Sequence, residues 1–221
     1  MKAEEYRQIV KSNYWDLLEA ARIGRIRTRR NLGLCFAQCK IGDAVNGPRI
    51  MVVGRSLNGA DGLSKPWRTI ARHELNEFID DISKERPEGL LYTGMYNCAK
   101  SPFLRMIRKF ESHSSMIAWT NLYKLTPKDG GNPCKSLRIC ERDICQKILT
   151  SEIDYYRPEL IVFLTGIGWA KEVYELPSDM KRIPYNHEIY VSETNGICVA
   201  CHPQCKPENE IFRLICSLFR L

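Results

Sequence analysis

PRIMVVGRSLNGADGLSKPW, residues 48–67, decides how the chain folds. Ile50 to Val53 is a short, unbroken apolar run that stops at Gly54. Such a run ending at glycine is how a buried parallel strand hands over to a ligand-facing loop. The loop then offers Arg55, Ser56, Asn58 and Asp61, each polar enough to meet a ligand, and closes on the rigid turn Pro66-Trp67. An ordinary strand-to-helix loop would read the same way, so the weight falls on what flanks it.

Upstream, Tyr6, Ile9, Val10, Tyr14, Leu17, Leu18 and Ala21 recur at helical spacing, which predicts an amphipathic helix over residues 4–23 ending at Gly24. Arg22, Arg25, Arg27, Arg29 and Arg30 follow closely. Such a cluster can grip phosphates, or it is a solvated helix end. Cys35 and Cys39 fall in an expected loop. Downstream, the pattern predicts a helix from Arg68 to Ile82 and an irregular insertion, Glu85 to Tyr96. Ser101 then caps a helix that begins at Pro102. Strands are expected at Ile117–Asn121, Leu160–Leu164, Glu188–Val191 and Ile197–Cys201. Helices are expected at Glu141–Tyr156, from Gly168, and at Asn209–Leu221. Strands alternating with helices predict an α/β domain with a mostly parallel sheet. Ligands of such sheets bind at the carboxyl ends of the strands. Four polar loops take those places: 54–65, 121–133, 165–169 and 202–208.

A chain of 221 residues fits a single domain, with residues 1–34 as an N-terminal helix and basic segment. It buries a sufficient core without disulfides or metals. Lys and Arg number 33 against 26 Asp and Glu, and the formal charge of +7 favours an anionic partner, nucleic acid being the commonest. No apolar run spans a membrane, and the N-terminus has no signal core, so an intracellular, cytoplasmic protein is expected, and a monomer is expected as well. There the ten cysteines would be free thiols, most of them buried.

The order and content of the strand-end loops resemble the uracil-DNA glycosylase superfamily. The best match is its bacterial and archaeal branch, which carries an iron–sulfur cluster. That branch opens its first motif with a strand ending in Gly, and a Pro-Phe pair follows the loop. Here the same places hold Val52-Val53-Gly54 and Pro66-Trp67, one residue short of the usual spacing. Its middle motif, TN-x-x-K-C-x-P, reads Thr120-Asn121-Leu122-Tyr123-Lys124-Leu125-Thr126-Pro127. Cys145 and then RPELIVFLTG at 157–166 follow in the family's order. The final His-Pro motif is His202-Pro203. The resemblance covers Pro48 to Phe212. It implies a three-layer αβα fold around a central sheet, DNA as partner, and a repair hydrolase that removes uracil or a related base.

The departures from that pattern bear on the chemistry. The family's catalytic carboxylate or amide lies one or two residues after the first Gly, where this chain has Arg55 and Ser56; Asn58 and Asp61 are near but out of step. The third cluster ligand falls at Leu125, and the first cysteine pair, Cys35 and Cys39, is spaced by three residues instead of two. Three thiolates do not make a Cys₄ site, so no cofactor and no metal are expected. On the resemblance, Trp67 stacks on an extruded base, Asn121 reads its polar edge and His202 donates to the leaving anion, while Ser56 holds a water. A serine hydroxyl cannot take that water's proton at neutral pH.

Structural roles also suit these residues: a core aromatic at a helix start for Trp67, a turn residue for Asn121, a strand-end histidine for His202. Cys198-Val-Ala-Cys201-His202 fits a haem-attachment pattern, but a buried strand and the lack of an export signal speak against it. Zinc at Cys198, Cys201, His202 and Cys205 is opposed by the alternation of side chains along a strand, and Cys134, Cys140 and Cys145 are poorly spaced. Two rival functions stay open: a catalytically silent nucleic-acid-binding module, and a small-molecule hydrolase using the same loops.

Overall fold

A computed structural model of the chain describes residues 1–24, 32–56, 67–84, 101–128, 131–204 and 206–221. Among the described residues it is an α/β fold of six helices and nine strands. Two compact units, interleaved along the chain, hold these elements. Met1–Ala37, Arg55–Gly89 and Asn121–Tyr155 make the first, and Gln38–Gly54, Leu90–Thr120 and Tyr156–Leu221 the second.

In the first unit, helix α1 (Ala3–Ile23) buries Val10, Tyr14, Leu17, Leu18 and Ala21, the stripe that the spacing predicts. It packs on α2 (Arg72–Lys84), where Lys11 pairs with Asp80. The Tyr14 ring stacks on Phe36, which tilts against Phe78, and the Tyr14 hydroxyl donates to the Cys35 carbonyl. Helix α2 starts at Arg72 rather than Arg68. Glu74 accepts from the Ala71 N–H at 2.8 Å, which caps the helix there, and the Arg22 guanidinium holds the carbonyls of Trp67 and Ile70 in the turn before it. Strands β1 (Leu32–Leu34) and β5 (Leu125–Pro127) form a two-stranded antiparallel sheet, Leu34 opposite Leu125. Both lie where the sequence pattern shows only loops, since three residues are too short to establish a period. Helix α4 (Lys135–Tyr156) begins six residues before the expected Glu141, because its first turn, Lys135 to Arg138, is polar apart from the buried Leu137.

The second unit is built on a seven-stranded sheet of order β2-β4-β3-β6-β9-β8-β7. Its strands are β2 (Gln38–Ile41), β3 (Arg49–Gly54), β4 (Met116–Asn121), β6 (Leu160–Leu164), β7 (Lys181–Arg182), β8 (Ile189–Ser192) and β9 (Ile197–Ala200). β3 pairs with β6, and β6 with β9, in parallel. β2–β4, β8–β9 and β7–β8 are antiparallel, so the sheet is mixed and not mostly parallel as expected. The reason is local. Only four residues join β8 to β9, a hairpin length that permits no parallel crossover. Gly196 in that turn has φ of +60°, and a Cβ there would lie 2.1 Å from the Glu159 carbonyl oxygen, so glycine alone fits. Cys39 belongs to the edge strand β2, not to a loop, and is buried beside Gln38; the outward Lys40 pairs with Glu111, a charged device suited to an edge.

Helix α3 (Pro102–Glu111) begins as expected, with the Ser101 hydroxyl accepting from the Leu104 N–H. It packs on β3 and on α6 (Glu208–Phe219), where the Phe110 and Phe212 rings meet edge to face at 5.1 Å. Ile50, Val52, Met106, Ile107, Phe110, Trp119 and Val162 lie in one apolar cluster with residues of β8, β9 and α6. The short helix α5 (Ile167–Val173) follows β6.

Candidate functional site

Within the second unit the register of β3, β6 and β9 brings three strand ends together. Val53 is opposite Phe163, and Leu164 is opposite Ala200. Gly54, Thr165-Gly166 and Cys201-His202 therefore succeed one another along a single edge of the sheet. β3 has β4 on one side and β6 on the other, so the chain's progress across the sheet reverses at β3. The crevice outside the carboxyl ends at such a reversal is where open α/β sheets take ligands. Gly166 turns the chain from β6 into α5 with φ of +81°, and its N–H donates to the Ala200 carbonyl at 2.8 Å, tying the ends of β6 and β9.

His202 is half-buried just past β9. Its Nδ1 accepts from the Gln204 backbone N–H at 3.2 Å. A neutral imidazole that accepts at Nδ1 carries its proton on Nε2.

Ser56, Trp67 and Asn121 belong to the first unit, whereas Gly54 and His202 belong to the second. Ser56 is half-buried, and its hydroxyl donates to Asn132 Oδ1 at 3.1 Å. The Arg55 carbonyl accepts from the Tyr123 N–H at 3.1 Å, which binds the start of the loop after β3 to the segment after β4. Trp67 is 2% exposed, with its carbonyl held by Arg22 and the Arg68 guanidinium 4.5 Å from its ring centre. Asn121 ends β4 and is 3% exposed. In this arrangement both are interior side chains, and a ligand reaching either must displace what covers it. Asn58, Asp61, Arg25, Arg27, Arg29 and Arg30 lie outside the described residues.

Two residues that sequence reasoning passed over bond to residues it singled out. Asn132 stands 76 positions from Ser56 and sits in Gly131-Asn132-Pro133, where Asn reads as a turn residue. Glu141 is fully buried, and its Oε2 accepts from the Leu125 N–H at 3.0 Å and from the Cys145 thiol at 3.5 Å. Burial pushes its carboxyl up from an ordinary 4.5 to about 8, so it is mostly protonated at neutral pH.

That arrangement bears on the iron–sulfur cluster implied by the resemblance. Leu125 and Cys145 stand at two ligand positions of the resembled branch, and Glu141 fills the space between them. Burial, and then the neighbouring Glu141, push the Cys145 thiol well above its ordinary value, away from the thiolate a cluster needs. Cys35 is buried with its sulfur against the Thr126 hydroxyl. Among the described residues no three His, Cys, Asp or Glu side chains are arranged to hold a metal ion. The residues do not fit a cluster.

No protein-family model matches the chain, and no curated protein sequence matches it. No helix among the described residues is long and apolar enough to cross a membrane.

Proposed function

We propose that the chain is a DNA-binding protein of the uracil-DNA glycosylase type. In this reading it has the three-layer αβα arrangement of that fold, acts as a monomer in the cytoplasm, and hydrolyses the N-glycosidic bond of an extruded uracil or related base. The observation that carries the reading is the reversal of strand order at β3. It brings Gly54, Thr165-Gly166 and His202-Pro203, the segments that carry the resemblance, to one edge of the sheet. The place of His202 adds to it: an imidazole just past β9 suits the anion that develops on a departing base. The charge of +7 suits the phosphate backbone.

A second reading, the silent nucleic-acid-binding module, draws on two observations. Trp67 and Asn121 are interior side chains, and positions 55 and 56 supply neither carboxylate nor carboxamide. Single-turnover base release from single- and double-stranded oligonucleotides carrying uracil, hypoxanthine or thymine mispairs separates the two. Release that falls about 10²-fold or more in His202→Ala supports the glycosylase. Salt-sensitive binding without release supports the module. A chain that binds no oligonucleotide at low salt refutes both.

A further inference from the structure

Ser56 follows the last residue of β3 by two positions, and Asn132 lies beyond β5; both belong to the first unit. Their side chains meet at 3.1 Å. A carboxamide oxygen has no hydrogen to give, so the serine hydroxyl is the donor. Among the described residues this is the one hydrogen bond that either side chain makes. It spends the hydrogen of Ser56 and leaves that oxygen's lone pairs available.

We propose that Asn132 is a positioning residue that orients a water through Ser56, and this rests on the glycosylase reading above. A serine hydroxyl left to itself rotates. It then donates to a nearby water as readily as it accepts from it, and a water that accepts from serine has turned a lone pair towards the enzyme. With its hydrogen committed to Asn132, Ser56 can only accept. The water donates to Ser56 Oγ and keeps its own lone pairs for the sugar. In the reaction, the water oxygen forms the bond to the anomeric carbon. The bond from that carbon to the base nitrogen breaks, and its electron pair leaves on the base. The water's proton passes to solvent, because neither Ser56 nor Asn132 is basic enough to keep it. Asn132 thus acts on alignment, not on proton transfer. Its contribution belongs to the rate of the chemical step and not to the affinity for DNA.

The test is single-turnover base release, with oligonucleotide affinity measured alongside, for wild type, Asn132→Ala, Ser56→Ala, the double variant and Asn132→Asp. Asn132→Ala is expected to slow release about tenfold with affinity unchanged, below the 10²-fold scale of a lost oxyanion donor. In the Ser56→Ala background the same change should do nothing further, because the two act as one unit. Asn132→Asp keeps an acceptor oxygen and should restore the rate. If Asn132→Ala releases base at the wild-type rate, or its effect adds fully to that of Ser56→Ala, the proposal is overturned and the glycosylase reading stands. A wild type that binds but releases no base overturns the proposal together with the hydrolytic reading. A wild type that does not bind removes the reading on which the proposal rests.

Discussion

The two units differ in how deeply they bury charge. The second closes on apolar side chains, with Ile50, Val52, Met106, Phe110, Ile117 and Val162 at 0% exposure. The first places Lys124, Glu152, Glu141 and Thr126 at 0–1% exposure among its apolar residues. Lys124 Nζ lies 2.7 Å from both Glu152 carboxylate oxygens, so one buried charge pair links the segment after β4 to α4. An apolar interior gains from every group it removes from water. A polar interior first bears the desolvation of its charges and holds only while each keeps its partner. The first unit should therefore fail by loss of a partner, and the second only by loss of volume or order.

The largest expected effect breaks that charge pair. Lys124→Met takes the ammonium away from the buried Glu152 carboxylate, which costs about 3–5 kcal/mol. Replacing both, Lys124→Met with Glu152→Leu, removes the buried charge as well, and stability should return to the wild-type level or above it. Urea unfolding of the three proteins measures both steps. A single variant as stable as wild type would show that the pair does not sustain the first unit, and the contrast between the units would fall.

The same contrast explains what could be read from the sequence. Strands β3, β6 and β9 are unbroken apolar runs buried on both faces, and each stands within a residue of where its pattern places it. β4 starts one residue early, and β8 is shifted by one residue at both ends. The first unit was far less legible. β1 and β5 are three residues each, and β5 follows a buried lysine, which reads as loop. Helix α4 turns Glu141 and Glu152 inward, so its apolar period is interrupted where those side chains enter the core. At the candidate site, the strand-end places of Gly54, Ser56 and His202 followed from where apolar runs stop. The partners that define their chemistry did not. Asn132 reaches Ser56, and Gln204 sets the His202 tautomer, through folding that no local pattern encodes.

A second prediction sharpens the comparison through pH. The Glu141 carboxyl has an ordinary value of 4.5 and stands at about 8 in the fold, chiefly through burial. Between those values the unfolded chain has released the proton that the folded chain retains. Stability therefore falls as pH rises from about 4.5 to about 8, and levels off above. Each unit of separation corresponds to about 1.36 kcal/mol, so the change across the window is on the order of a few kcal/mol. Glu141→Gln keeps an oxygen for the Leu125 N–H and has nothing to titrate. Its stability should be flat across the window and exceed that of the wild type near pH 8. Urea unfolding at a series of pH values checks this, and an equal slope in both proteins would place the pH dependence elsewhere. In the second unit the buried Cys198 thiol acts at higher pH: burial pushes it up to about 12, so its share is lost above the ordinary thiol value near 9.

The smallest effect tests the other half of the contrast, that polar groups matter little to the second unit. Its buried polar side chains, Ser114, Thr120, Thr165 and Ser192 among them, are mostly small and uncharged, and Ser101 at a helix start is a clear test case. The hydroxyl accepts from the Leu104 N–H at 3.4 Å at the start of α3, and Pro102 follows, which needs no partner for its own nitrogen. Beyond that cap the helix is held by Met106, Ile107 and Phe110, all buried in the apolar cluster. Removing the cap frees one backbone N–H at a half-exposed end, where water can reach it. Ser101→Ala should therefore cost about 1 kcal/mol, and Ser101→Asp should recover it, because the carboxylate caps the same N–H and faces the positive end of the helix. Unfolding in urea, with the slope of the transition unchanged, is the measurement. A loss approaching that of Lys124→Met would mean that the second unit also rests on its polar partners, and burial of apolar surface would no longer distinguish the two.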